Sequence, residues 1–261
     1  MTCAIGVTTM NRPAYLDKCL RALEANVRPR GCPVAVYNDG SDTKYRGEYN
    51  RAYRRVENLT VFAPAENQGV AYAKNRLLEW MLGETDATYL FLLEDDILLR
   101  SPKAVTEYVR VAKAAALHHL SFAHHGPANV GGPVATNGDV EFYPHSIGAW
   151  TMFTRKCLLD VGLMDENFHN AWEHVEHELR VIRAGYLPGA DAMRYPDVAG
   201  SAEWLTEIPG SIDRSSIRPR GDWHDNIRNG LLYRRDNKPE TYGMLFGPGT
   251  PLENYALSIT G

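Results

Sequence analysis

Three acids in a row, Glu94, Asp95 and Asp96, close the apolar run TYLFLL (88–93). Adjacent carboxylates repel one another unless a positive charge sits on them. At the carboxyl end of a buried strand, where open α/β sheets bind ligands, such a cluster suits a hard divalent cation shared with phosphate oxygens, Mg²⁺ or Mn²⁺. The plain alternative is a capped and solvated helix start. A second acidic site, Asn38-Asp39-Gly40-Ser41-Asp42, follows the run PVAVYN. A carboxylate at Asp39 accepts from the N3–H of uracil or thymine, or the N1–H of guanine, and disfavours cytosine, whose N3 is itself an acceptor. The same letters also make an ordinary Asx turn. Further on, NQGVAYAKNR sets Asn67 and Gly69 at a helix start with Lys74 and Arg76 downstream, an arrangement that can hold a diphosphate.

These residues need a frame that brings them to one edge. CAIGVT (3–8), PVAVYN (33–38), LTVFAP (59–64) and TYLFLL (88–93) read as strands, the last apolar enough for burial on both faces. Between them lie helical patterns: Leu16, Cys19, Leu20 and Leu23 after Pro13, then Ala73, Leu77 and Met81, and after the acids Val105, Tyr108, Val109, Ala112 and Ala116. Strand and helix in alternation predict an α/β fold, an open and mostly parallel sheet with helices on both faces. Beyond the loop GPANVGGPVATNGD, IGAWTMF (147–153) predicts a strand and NAWEHVEHELRVIRAGY (170–186) a helix. Its buried stripe is expected to be Val175, Leu179 and Ile182, with Glu176–Arg180 as a solvated pair. The last 60 residues read as loops with a short helix. The expected organisation is a nucleotide-binding half (1–125), an acceptor-binding and catalytic half of the same domain (126–200) and a loop-rich C-terminal extension (201–261).

A net charge of −4 argues against a generic nucleic-acid binder. No apolar run approaches the ~20 residues of a membrane span, and the start lacks the pattern of a signal peptide. Cys3, Cys19, Cys32 and Cys157 show no CxxC spacing and are expected as reduced thiols in a cytoplasmic protein. His174 and His177 are three apart, not the four of a zinc-binding H-E-x-x-H helix. His118-His119 and His124-His125 flank a strand and are expected to be structural.

Taken in order, VTTMNRPAYLDKCLRAL, VYNDGSD, NQGVAYAKNRLL, FLLEDDILL, GAWTMFTRKCLLDVGLMDENF and WEHVEHELRVIRAGY resemble the inverting GT-A glycosyltransferases of the large family 2, over roughly residues 3–186. The resemblance implies a Rossmann-like nucleotide-binding domain fused to an acceptor-binding lobe. Thr8, Asn11, Arg12, Asp39, Asn67, Gly69 and Lys74 then fall to the donor, with Asp39 on the base. The acids correspond to the metal-holding DXD motif in an EDD form: Asp96 becomes the ligand of Mn²⁺ or Mg²⁺, with Glu94 and Asp95 nearer the sugar and ribose. The family takes its general base from an ED pair ahead of a helix ending LR..RAGY, which here reads Glu173-His174. Glu173 oriented by His174, His174 itself, or Glu176 one turn on could serve, and Glu173 is favoured. Trp172 would stack on an acceptor sugar or join the core. Relatives often add a C-terminal histidine to the metal, for which His224 stands out, with Arg218, Arg220 and Arg228 near the leaving diphosphate.

The expected activity is transfer from a nucleotide sugar, with a uridine donor favoured. The acceptor stays open among glycan, lipid-linked sugar, protein, small molecule and modified nucleic-acid base. A sugar nucleotidyltransferase is the competing enzyme, although GVTTMNRP lacks its Gly-rich phosphate loop. A non-catalytic nucleotide- or carbohydrate-binding relative is the competing binder.

Overall fold

Apolar runs long enough to be buried on both faces set the architecture. In the computed structural model, which describes residues 2–27, 31–188, 194–211, 213–216, 223–248, 250 and 252, every residue of β1 (Cys3–Thr9) and β2 (Val34–Asn38) is buried. They pair in parallel with one another, β2 with the short edge strand β3 (Thr60–Phe62), and β1 with β4 (Tyr89–Glu94). β9 (Trp150–Thr154) runs antiparallel on the far side of β4, and β6 (His119–Ser121) antiparallel beside β9. The sheet order is therefore β3-β2-β1-β4-β9-β6. Helices cover both faces. Leu16, Leu20 and Leu23 of α1 (Pro13–Asn26) and Val105 and Tyr108 of α4 (Lys103–Ala114) pack with Val7, Phe91 and Trp150. Ala73, Leu77 and Met81 of α3 (Val70–Glu84) close the other face over Ala4, Leu90 and Phe153. α2 (Arg46–Tyr53) lies against α1.

Two small sheets flank the main one. β5 (Ile97–Leu99) pairs with β11 (Leu205–Glu207), and β8 (Val140–Tyr143) lies between β7 (Ala135–Asn137) and β10 (Tyr195–Val198). The acids thus end a strand and enter a turn into β5, rather than opening a helix. α5 (Arg155–Val161) follows β9, and α6 (Glu173–Arg183) follows a loop.

The C-terminal region departs from the expectation of loops. It carries α7 (Trp223–Asn237) and α8 (Pro239–Phe246), whose Leu231, Leu245 and Phe246 bury against Leu179 of α6. The apolar stripe of α7 is narrow, which is why its period is weak in the sequence. This cover lies on the expected stripe of α6, and the helix is buried elsewhere too, with Glu173 on Lys74 of α3 and Glu178 on His119 of β6. Val175 and Ile182 are only half-buried, whereas Glu173, Glu176, His177 and Glu178 are buried. Glu176, expected on a solvated face, has no exposure and accepts from Arg180 Nε with both oxygens at 3.0 Å. Cys3 and Cys32 are joined as a disulfide with Cα atoms 5.2 Å apart, against the expectation of reduced thiols; Cys19 and Cys157 are free and buried. No described helix is long and apolar enough to cross a membrane.

Candidate active site

Parallel pairing aligns the strand ends: Thr8 stands beside Glu94, and Thr9 beside Asn38. The residues just beyond those ends line a cavity of about 470 Å³. Thr8, Arg12, Asp39, Asn67, Glu94 and Asp96 line it from the strand ends and the loops beside them, and Trp172, Glu173 and His174 line it from the start of α6. Residues from six or more separate segments converge there because their elements end at one edge of the sheet.

The base end is built from two loops. Asp39 accepts from Gln68 N (2.8 Å), Gly69 N (3.0 Å) and Asn67 Nδ2 (2.5 Å), so the carboxylate is fixed in orientation by the entry to α3. Gly69 has φ +97° and sits where any Cβ would strike His169, whose carbonyl accepts from Val70 N. Asn11, at φ 55°, receives Asp42 N on its side chain and donates its own N–H to Ser41 Oγ. Asn11 and Gly69 thus hold the loops together and do not themselves line the cavity.

At the acids, the positive charge comes from the protein itself. Arg12 donates to Asp95 Oδ1 and, at 3.1 Å, to Asp96 Oδ2. Asp95 also accepts from Thr9 Oγ1 at 2.5 Å and is fully buried behind the cavity wall. Burial pushes the Asp95 carboxyl up, with Arg12 opposing. Asp96 lies below the usual carboxylate range: burial works against this, and His125 and Arg12 prevail. His125 Nε2 is 3.6 Å from Asp96 Oδ2, and both His125 Nε2 and Asp96 Oδ1 are buried with no hydrogen-bond partner. Expected from the sequence as structural, His125 is instead a cavity wall. His125 lies in the turn beyond β6, where strand alternation does not reach, and nothing in the letters says which acid it meets.

Lys74, which the sequence assigns to the donor diphosphate, is turned inward. It is 1% exposed, and Nζ donates to Glu94 Oε1 (3.2 Å), Glu173 Oε1 (3.0 Å) and the Gly148 carbonyl (3.1 Å). Burial raises the Glu173 carboxyl, but Lys74 and His174 overcome it and hold Glu173 far below the usual range. His174 Nδ1 lies 3.1 Å from the same Glu173 oxygen. Gly148 makes this packing possible, since a Cβ there would sit 2.8 Å from the His174 ring. Trp172, at φ 71°, ends the loop before α6 and donates Nε1 to Ile227 O of α7. The indole therefore bridges the cavity wall to the C-terminal helices. Glu176 does not line the cavity, and neither does His224, which is exposed in the first turn of α7. Arg228 is exposed on α7, and Arg218 and Arg220 lie outside the described residues.

Four carboxyl groups, Glu94, Asp95, Asp96 and Glu173, here share two cations, Arg12 and Lys74. A divalent cation fits that imbalance. The unpartnered Asp96 oxygen and His125 nitrogen are donors of the kind Mn²⁺ accepts. Among the described residues no three His, Cys, Asp or Glu side chains converge as a complete metal site, so the remaining ligands would come from a bound diphosphate and water.

Residues 4–173 match the profile of "Glycosyl transferase family 2". No curated protein matches the chain significantly. Among solved structures, the mannosyltransferase PcManGT from Pyrobaculum calidifontis, in complex with GDP-Man and Mn²⁺, superposes with a TM-score of 0.61 at 13% identity, over 91% of this chain and 64% of that one. GalNAc-T7 with UDP, GalNAc and Mn²⁺ gives 0.60 at 12% identity, over 99% and 54%. TarS 1–349 of S. aureus with UDP-GlcNAc gives 0.54 at 15% identity, over 89% and 66%. These likenesses are of fold, and the chain spans just over half to two thirds of these three structures.

Proposed function

The chain belongs to glycosyl transferase family 2 and has the GT-A fold of its glycosyltransferase neighbours, and from that premise we propose that it moves a sugar from a uridine-diphosphate donor to an acceptor hydroxyl, with inversion and with a divalent cation. The observation that carries this reading is one cavity lined by Asp39 and Asn67, by Asp96 and His125, and by Glu173 and His174. A base, a diphosphate and a reacting sugar need these three chemistries side by side.

Asp39, held by three donors, offers an acceptor edge that suits the N3–H of uracil and repels the N3 lone pair of cytosine. Arg12 lies between the strand end and the acids, where its guanidinium can turn from Asp96 toward a phosphate. Asp96 and His125 would hold the cation, which supplies positive charge against a leaving diphosphate. Glu173 and His174 face the cavity as the proton-accepting pair for the acceptor hydroxyl. Trp172 offers an aromatic face for an acceptor ring.

The test is thermal unfolding with UDP, GDP, dTDP and CDP, each with and without Mn²⁺. Ligand at 100 times its Kd adds about 2.7 kcal/mol, or roughly 5–10 °C for a chain of this size. The expected result is a UDP shift that requires Mn²⁺ and is lost in Asp96→Ala. A shift with GDP alone would change the donor, and no shift with any of the four would refute the nucleotide-sugar site.

A further inference from the structure

The sequence leaves the proton acceptor open among Glu173, His174 and Glu176. Glu176 is sealed against Arg180 and away from the cavity. Glu173 reaches the cavity wall but is 3% exposed, and its Oε1 already receives Lys74 Nζ and faces His174 Nδ1. A carboxylate held this firmly in its ionised form is a weak base, and general-base efficiency falls with basicity. His174 has the opposite surroundings. Its side chain is 25% exposed and its ring is part of the cavity wall. An ionised carboxylate can only accept, so the 3.1 Å contact requires a hydrogen on Nδ1 and leaves the Nε2 lone pair unused. No bond from the described residues is made to Nε2.

The geometry points to His174 as the catalytic base and to Glu173 and Lys74 as positioning residues behind it, a Lys–Glu–His relay in which the imidazole does the work that the family gives to a carboxylate. This rests on the glycosyl-transfer reading above. In the step, His174 Nε2 takes the proton of the acceptor hydroxyl as its oxygen bonds to the anomeric carbon. The bond from that carbon to the diphosphate oxygen breaks, and the leaving nucleoside diphosphate keeps the electron pair. The imidazolium is stabilised by Glu173 and then returns its proton to water.

The charged groups facing the ring are Glu173 on its own helix and Lys74 from α3, with Glu94 of β4 on the far side of Lys74. The loop before β9 brings the Gly148 peptide against the ring. Lys74 keeps Glu173 charged at every pH near neutrality, and its own charge is shared with Glu94. The pair therefore leaves Glu173 able to orient the imidazole without taking its proton.

Two measurements test the relay. The first needs no substrate: ¹⁵N-correlated spectra of the wild type, assigned by difference with His174→Ala, are expected to show the neutral ring as Nδ1–H, whereas a free imidazole side chain favours Nε2–H. The second follows diphosphate release to water from UDP-glucose, UDP-GlcNAc and GDP-mannose with Mn²⁺. His174→Ala is expected to keep the wild-type thermal shift with UDP and Mn²⁺, to lose about 100-fold or more in rate, and to regain rate with added imidazole. An Nε2–H ring overturns the proposal. So does a His174→Ala enzyme at wild-type rate, or one that imidazole does not rescue. A wild type with neither a nucleotide shift nor turnover would instead refute the glycosyl-transfer reading, and the relay with it.

Discussion

Lys74→Met tests the centre of the site with a stability measurement alone. Lys74 Nζ meets Glu173, whose side chain is 4% exposed, and Glu94, which is 29% exposed. Methionine matches the length of the stem and removes the charge. Breaking a buried pair by deleting one partner costs about 3–5 kcal/mol, because the other charge stays uncompensated. Most of that falls on Glu173, since water reaches Glu94 and screens it. The wild type should therefore exceed the variant by about 3–5 kcal/mol in urea unfolding at pH 7.5, or roughly 10 °C in Tm. The sign of the pH dependence follows from the same contact. With Lys74 present, the folded carboxyl of Glu173 lies below its unfolded value, so its contribution is present above that unfolded value and is lost as pH falls. Without Lys74, burial dominates and raises the carboxyl, so the variant gains relative stability on acidification. The gap should shrink steadily from pH 7.5 to pH 4.5. A variant within 1 kcal/mol of wild type at pH 7.5, or a gap that does not change with pH, would refute this account of the buried network.

Gly148→Ala should leave the thermal shift with UDP and Mn²⁺ in place but lower turnover at least tenfold, because the new methyl occupies the space of the His174 ring. Steady-state rates beside the melting shift check this. His177 is buried, and burial followed by the charge of Arg180 pushes its imidazole down to about 3. The unfolded chain therefore binds a proton that the folded chain refuses between roughly pH 6.5 and pH 3. Stability from this group is lost as pH falls through that window, and His177→Gln should reduce the acid slope of unfolding free energy by up to about 1.4 kcal/mol per pH unit. Leu231→Ala, a core truncation where α7 meets α6, should cost about 2–5 kcal/mol by chemical denaturation and loosen the wall carrying Trp172, with a weaker effect on UDP binding than on turnover.

The sequence by itself determined the frame. Short apolar runs could be buried only as sheet strands, and the i, i+3, i+4, i+7 spacing of Leu16, Cys19, Leu20 and Leu23 could be buried only as a helix face. The position of Glu94, Asp95 and Asp96 just past a central strand already placed them at the ligand-binding edge of such a sheet. The tertiary structure alone decided which charges meet. Arg12 reaches Asp95 across 83 positions and Lys74 reaches Glu173 across 99, and no local pattern encodes a contact of that range. Glu176 of α6 reads as solvated because an amphipathic stripe shows one buried face; α7 and α8 cover that stripe, while Glu173 and Glu178 are buried on Lys74 and His119 from other elements. The same limit hid His125, whose approach to Asp96 depends on where β6 sits in the sheet beside β9. Periodicity reports how much of a helix or strand is buried; which side chain waits on the other side is a property of the packed chain.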